Sequence, residues 1–119
     1  MYPLKWHPNL TVERWSTFVF DRQILMIANE LRRFANGRLA GQSEAILRET
    51  LERAFELIDL TVELARPAVR HELLRFREHL GELYMNSGSD FSPESFYRVL
   101  LQFTRNSAQL LDDPKPSLS

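Results

Sequence analysis

One proline, Pro67, constrains the fold of this chain more than any other residue. Helical apolar periodicity runs through residues 43–65 and resumes over residues 68–85, with Pro67 between the two stretches. Proline lacks the N–H that a helix interior requires, and its ring clashes with the preceding turn. A single helix over both stretches would also be roughly 60 Å long at 1.5 Å per residue, too long for its neighbours to cover. We therefore predict that the chain folds back at Pro67 and forms two adjacent helices.

The other helix boundaries follow from capping signals. Thr11 and Ser43 are favourable N-cap residues, Asn36-Gly37 is typical of a helix end, and Pro93 suits the first position of a last helix. Short connections favour antiparallel neighbours. The sequence thus predicts one all-α domain, a four-helix bundle of up-down-up-down topology spanning 1–119. Its predicted parts are an extended N-terminal arm at 1–10, helices at about 12–35, 43–65, 68–85 and 93–111, and a flexible tail at 112–119.

Composition excludes several classes of protein. The 119 residues carry a formal net charge of −1, which gives no chain-wide attraction for nucleic acid or anionic lipid. The absence of cysteine excludes disulfides, thiolate metal ligands and cysteine nucleophiles. The sequence does not open with a signal-peptide pattern, and its longest apolar run, residues 24–28, is too short to cross a bilayer. These features predict a cytoplasmic protein that does not bind membranes, and they disfavour nucleic acid as a partner.

An acidic stripe follows the second predicted helix at steps of three and four residues. Its members are Glu49, Glu52, Glu56, Asp59 and Glu63. In an antiparallel hairpin that turns at Pro67, this stripe faces arginines of the third helix, and the expected pairs are Glu63 with Arg70 and Glu56 with Arg77. We predict a salt-bridge ladder of these four residues, in which each exposed pair contributes about 0.2–1 kcal/mol.

The same stripe permits a second interpretation, as a metal site. It resembles the acidic helices of all-α nucleoside-triphosphate pyrophosphatases, and the resemblance implies a Mg²⁺-dependent enzyme. In that family the acidic groups come from two helices, whereas here they share one helix, whose single face cannot surround an ion. The sequence therefore favours the ladder, with no metal ligand and no cofactor.

Another alternative rests on Arg66 and His71, which are separated by four residues. This spacing resembles the Arg-x4–6-His motif of HEPN domains, helical bundles that include ribonucleases. The resemblance implies phosphate binding by the arginine and proton transfer by the histidine. A chain with thirteen arginines and three histidines contains such a spacing by chance about once. An RNA-binding or RNA-cleaving domain is thus an alternative to a protein without catalytic residues.

Apolar side chains exceed what a four-helix bundle is expected to bury. The first predicted helix is apolar on nearly all sides between Phe18 and Ala28, and the second carries an additional apolar stripe opposite its core face. An open patch of this kind usually marks an interface. The sequence thus predicts a non-catalytic interaction or scaffold module that self-associates, as a homodimer or higher oligomer, through the apolar faces of the first and second predicted helices, with another protein as the alternative partner. The predicted interface residues are Trp15, Phe18, Leu25, Met26, Leu57, Leu60 and Leu64.

Overall fold

The computed structural model describes residues 4–85, 98–100 and 102 of the chain. In that part every regular element is helical, which confirms the predicted all-α class. The elements are α1 (Val12–Trp15), α2 (Phe20–Leu39), α3 (Glu44–Leu64) and α4 (Pro67–Met85). Residues 98–100 and 102 are also helical and fall inside the helix predicted at 93–111. The remainder of that helix, the tail at 112–119 and residues 1–3 lie outside the described residues.

Helix α3 is the central element of the described fold. It packs against α1, α2 and α4, and it therefore needs apolar side chains on more than one face. Its buried residues include Leu51 and Ile58 as well as Leu57 and Leu60. They join buried side chains of α2 and α4 in one hydrophobic cluster, which also contains Leu100. Two members of the second apolar stripe on this helix, Leu57 and Leu60, are thus covered within the chain, whereas Ile46 and Leu64 stay exposed.

The fold-back predicted at Pro67 is confirmed. Helix α3 ends at Leu64, the backbone at Ala65 is extended, and α4 begins at Pro67 itself. The first turn of a helix has no intrahelical use for the N–H that proline lacks, so Pro67 fits at this position. The two helices pack against each other across a two-residue connection.

The first predicted helix is divided in two, because the chain leaves the helical path between α1 and α2. The hydroxyls of Ser16 and Thr17 each donate a hydrogen bond to the backbone carbonyl three residues earlier, at 2.6 and 2.7 Å. The side-chain amide of Gln23 donates to the carbonyls of Trp15 and Phe18, at 3.0 and 3.1 Å. These bonds satisfy acceptors that a continuous helix would have used. The break allows α1 to pack against α3.

The C-terminal end of α2 lies beyond the stop predicted at residues 36–37. The helix continues for two more residues, and the position with positive φ (76°) is Gly41. The N–H of Gly41 donates to the carbonyl of Arg38 at 3.2 Å, and that of Gln42 to the carbonyl of Gly37 at 2.9 Å. These are the two bonds of a Schellman cap. Gly37 is buried within α2, and a methyl group there would displace the flexible end of the Gln42 side chain.

Candidate functional site

The N-terminal segment, residues 4–10, lies against α3 and meets the acidic stripe there. Both carboxylate oxygens of Glu56 accept the backbone N–H of Trp6, at 3.1 and 3.0 Å. Glu56 Oε1 also lies 2.8 Å from Nδ1 of His7, and the indole N–H of Trp6 donates to Glu52 at 3.0 Å. Two carboxylates of the stripe therefore hold the segment in place.

Tyr84 of α4 adds a hydrogen bond to this cluster. Its hydroxyl donates to Glu52 Oε2 at 2.6 Å. This bond is the main reason that the pKa of Glu52 is lowered; the Trp6 indole and Lys5 act in the same direction, whereas partial burial opposes them. The same bond raises the pKa of Tyr84. The cluster thus favours an ionised glutamate beside a protonated tyrosine.

Two cations lie near the ring of Trp6. The guanidinium of Arg53 is 5.6 Å and the ammonium of Lys5 is 4.8 Å from the ring centre, within the range of cation–π attraction. Arg53 also bonds to the buried Glu30 of α2 at 3.4 Å, and the other oxygen of Glu30 accepts from Arg33 at 3.1 Å. Arg53 therefore connects α2 to the N-terminal segment.

The ladder between α3 and α4 has different partners from those predicted. Arg77 pairs with Asp59 rather than with Glu56, at 2.7 Å from Nε and 3.3 Å from Nη2. Arg70 donates to two backbone carbonyls at the end of α3 rather than to Glu63. Both predicted pairs are therefore wrong. Arg77 bonds instead to the next acidic residue of the stripe, and the carboxylate of Glu56 is occupied by the N-terminal segment.

The geometry of the described residues does not support either alternative site. Within residues 4–85, 98–100 and 102, no group of three or more histidine, aspartate or glutamate side chains is placed to hold a metal ion. Arg66 precedes α4 and His71 lies in its second turn, and both are exposed.

Three of the predicted interface residues are buried within the chain. Trp15 is fully covered, and its indole N–H donates to Thr61 of α3 at 2.9 Å. Leu57 and Leu60 belong to the same hydrophobic core. The expectation that these three residues form an open interface is wrong. It assigned one buried face to each helix, whereas α3 is covered by several elements.

The other four interface candidates retain some exposure. Leu25 and Leu64 are 47% and 40% exposed, while Phe18 and Met26 are half-buried. Phe18 packs edge-on against Trp15 with ring centres 5.7 Å apart, so only part of its ring faces outward. These four positions stay predictions for an interface.

Sequence reasoning missed Val19, which directly precedes α2. Its side chain is 71% exposed, and it occupies the N-cap position without a side-chain hydrogen bond. No local sequence signal marks this position, because the start of α2 at Phe20 has no capping side chain and follows a break held by Gln23. A pocket of about 290 Å³ opens beside this position, lined by Ser16, Phe20, Gln23, Thr61, Leu64 and Ala65. We name Val19, Phe20 and Leu64 the apolar end surface.

Comparison with known proteins identifies no relative of this chain. No family model, curated protein or solved structure matches it. Among the helices of the described residues, none is both long enough and apolar enough to cross a membrane. Function is therefore inferred from the contacts and surfaces of the chain itself.

Proposed function

We propose that this chain is a non-catalytic protein-interaction or scaffold module, which self-associates through the apolar end surface. That surface combines the start of α2 with the end of α3, and Leu25 and Met26 lie further along α2. Exposed apolar side chains beside a concave pocket are typical of protein interfaces. A second copy presents the same surface, as a two-fold dimer requires.

The observation that carries this proposal is the residue type at the N-cap of α2. Val19 and Ser43 have the same backbone angles, φ −64° and ψ 156°. The Ser43 hydroxyl accepts the N–H of Ile46 at 3.3 Å, whereas a valine side chain has no acceptor to offer. Serine or aspartate at position 19 would suit both the helix and the solvent better. A valine exposed at this place supports a role in contact with another molecule.

The polar side chains of the described residues support a non-catalytic role. Glu52, Glu56 and His7 come closest to a cluster for acid–base chemistry, and all three take part in holding the N-terminal segment. Glu30 is bonded by two arginines. The hydrogen bonds of these carboxylates thus serve to join parts of the fold.

We also propose two broader features of the protein. The three long packed helices, together with helical residues 98–100 and 102, fit an up-down-up-down four-helix bundle whose N-terminal arm follows α3. The cytoplasm is the compartment that a chain without cysteine favours.

Sedimentation equilibrium of the full chain tests the proposed self-association. We expect the wild-type mass to rise with concentration from 14.0 kDa towards twice that value. Val19→Asp brings two like charges together across a two-fold interface, so it should weaken association by at least about tenfold. Leu39→Asp is the matched control, because Leu39 is 89% exposed at the opposite end of α2. A wild-type chain that stays at 14.0 kDa throughout the micromolar range, or equal effects of the two variants, would contradict the proposal.

A further inference from the structure

The N-terminal segment is held on α3 through Trp6 and His7, and a second copy of the chain carries the same two residues. Three α3 residues form the site beneath it, and we name Glu52, Arg53 and Glu56 the segment groove. The groove binds one indole, one imidazole and one backbone N–H, all from consecutive residues Trp6 and His7. Arg53 faces the ring of Trp6 at 5.6 Å. The groove is thus complementary to a short aromatic segment that carries hydrogen-bond donors.

The segment also has the character of a separable unit. The N–H of Leu10 donates to the carbonyl of His7 at 2.9 Å, so the segment contains its own turn, and Pro8 restricts the backbone inside that turn. Thr11 follows with an extended backbone (φ −118°, ψ 167°), and its hydroxyl accepts from the N–H of Arg14. Thr11 thus stays with α1 as its cap. A change of backbone angles near residues 10–11 would release the segment, and release also breaks the apolar contacts of Leu4 and Leu10 with the hydrophobic core.

We propose that residues 4–10 exchange between two copies of the chain, so that the segment of one copy occupies the segment groove of the other. The contacts that an exchanged segment would make are known, because the segment makes them in the groove of its own chain. In a second copy the same contacts form again, and domain swapping of this kind is a low-cost route to a dimer. Five steps of chain join Trp6 to Thr11, so Thr11 lies at most about 18 Å from Trp6 in the partner groove, and closer while the turn of the segment persists.

Binding within one chain competes with this exchange. A short linker gives the segment an effective concentration on the order of millimolar at its own groove, so exchange in the wild-type chain requires high protein concentration. Weakening the intramolecular contact removes that competition. The exchange uses a different surface from the apolar end surface and does not depend on the proposed function.

Complementation between two full-length variants tests the exchange. The segment variant, Trp6→Ala with His7→Ala, keeps an intact groove, and the groove variant, Glu52→Gln with Glu56→Gln, keeps an intact segment. Because the chain has no cysteine, a single Asn29→Cys substitution on the exposed side of α2 carries a donor or acceptor dye in each variant. Energy transfer is measured in the mixed pair and in each variant mixed with itself.

We expect the mixed pair to associate at least about tenfold more tightly than either self-pair, because only the mixed pair combines an intact segment with an intact groove. Equal transfer in all three mixtures would overturn the exchange and would instead reflect the apolar end surface, which every variant retains. No transfer in any mixture would also overturn the exchange. Circular dichroism verifies the fold of each variant, and Trp6→Phe paired with Glu56→Gln replaces any variant that does not fold.

Discussion

Replacement of Glu56 by glutamine should release the N-terminal segment while leaving the helices folded. The carboxylate of Glu56 accepts a hydrogen bond from the backbone N–H of Trp6 at 3.0 Å and lies 2.8 Å from His7 Nδ1. Only 15% of the Glu56 side chain is exposed. Glutamine has nearly the same shape and keeps one acceptor oxygen. The substitution therefore removes the negative charge and preserves the packing.

The expected magnitude follows from the two hydrogen bonds. A net contribution of about 1.5–3 kcal/mol is typical of a hydrogen bond to a charged group, against about 0.5–1.5 kcal/mol for a neutral one. Two such bonds that lose the charge weaken docking of the segment by about 2 kcal/mol, after allowance for the partial exposure of Glu56. The ratio of docked to undocked segment should then fall by about 30-fold.

Indole hydrogen exchange measured by NMR reports this change directly, because the chain has two tryptophans in different settings. The Trp6 indole N–H is bonded to Glu52, and its exchange should accelerate by about 30-fold in Glu56→Gln. The buried Trp15 indole, bonded to Thr61, is the internal reference and should not change. Glu63→Gln is the control: the same substitution at an exposed position of the stripe should have no effect. Equal acceleration of both indoles, or none at Trp6, would refute the reasoning.

Three further outcomes are expected. Thr61→Val leaves the buried indole N–H of Trp15 without an acceptor and should lower the free energy of unfolding by about 1–3 kcal/mol in a denaturant titration; no loss would contradict the role given to that bond. Gly41→Ala places a methyl group at φ 76° and should cost about 1–2 kcal/mol by the same assay, whereas a neutral effect would mean that the turn relaxes. Tyr84→Phe should raise the pKa of Glu52 towards its usual range in an NMR titration. Because that pKa is lowered in the folded chain, the stabilisation is complete at neutral pH and is lost as the pH falls below about 4; an unchanged Glu52 titration would contradict this.

The helical hairpin was predictable because its signals are local. Pro67 interrupts an apolar pattern that otherwise continues, and Ser43 sits where a helix must begin. Both act through the backbone of their immediate neighbours, so the sequence around each residue is sufficient. The break between α1 and α2 lacks such a signal, since no proline or glycine occurs there. It depends on Gln23, which bonds to carbonyls five and eight residues earlier in the chain.

The partners of the acidic stripe were not predictable from periodicity. The stripe itself is a local pattern, but Glu52 and Glu56 bind Trp6 and His7, which lie 46–50 residues away and outside any helix. Likewise, the burial of Leu57 depends on how many elements surround α3. A helical wheel gives the apolar faces of one helix and does not give the number of its neighbours.

A dilution series followed by NMR tests the proposed self-association most directly. The backbone amide signals of the full chain are recorded from millimolar to low micromolar concentration. We expect the largest concentration-dependent shifts at Val19, Phe20 and Leu64, with Leu39 at the other end of α2 unchanged. Signals that do not depend on concentration, or shifts centred away from the apolar end surface, would contradict the proposal.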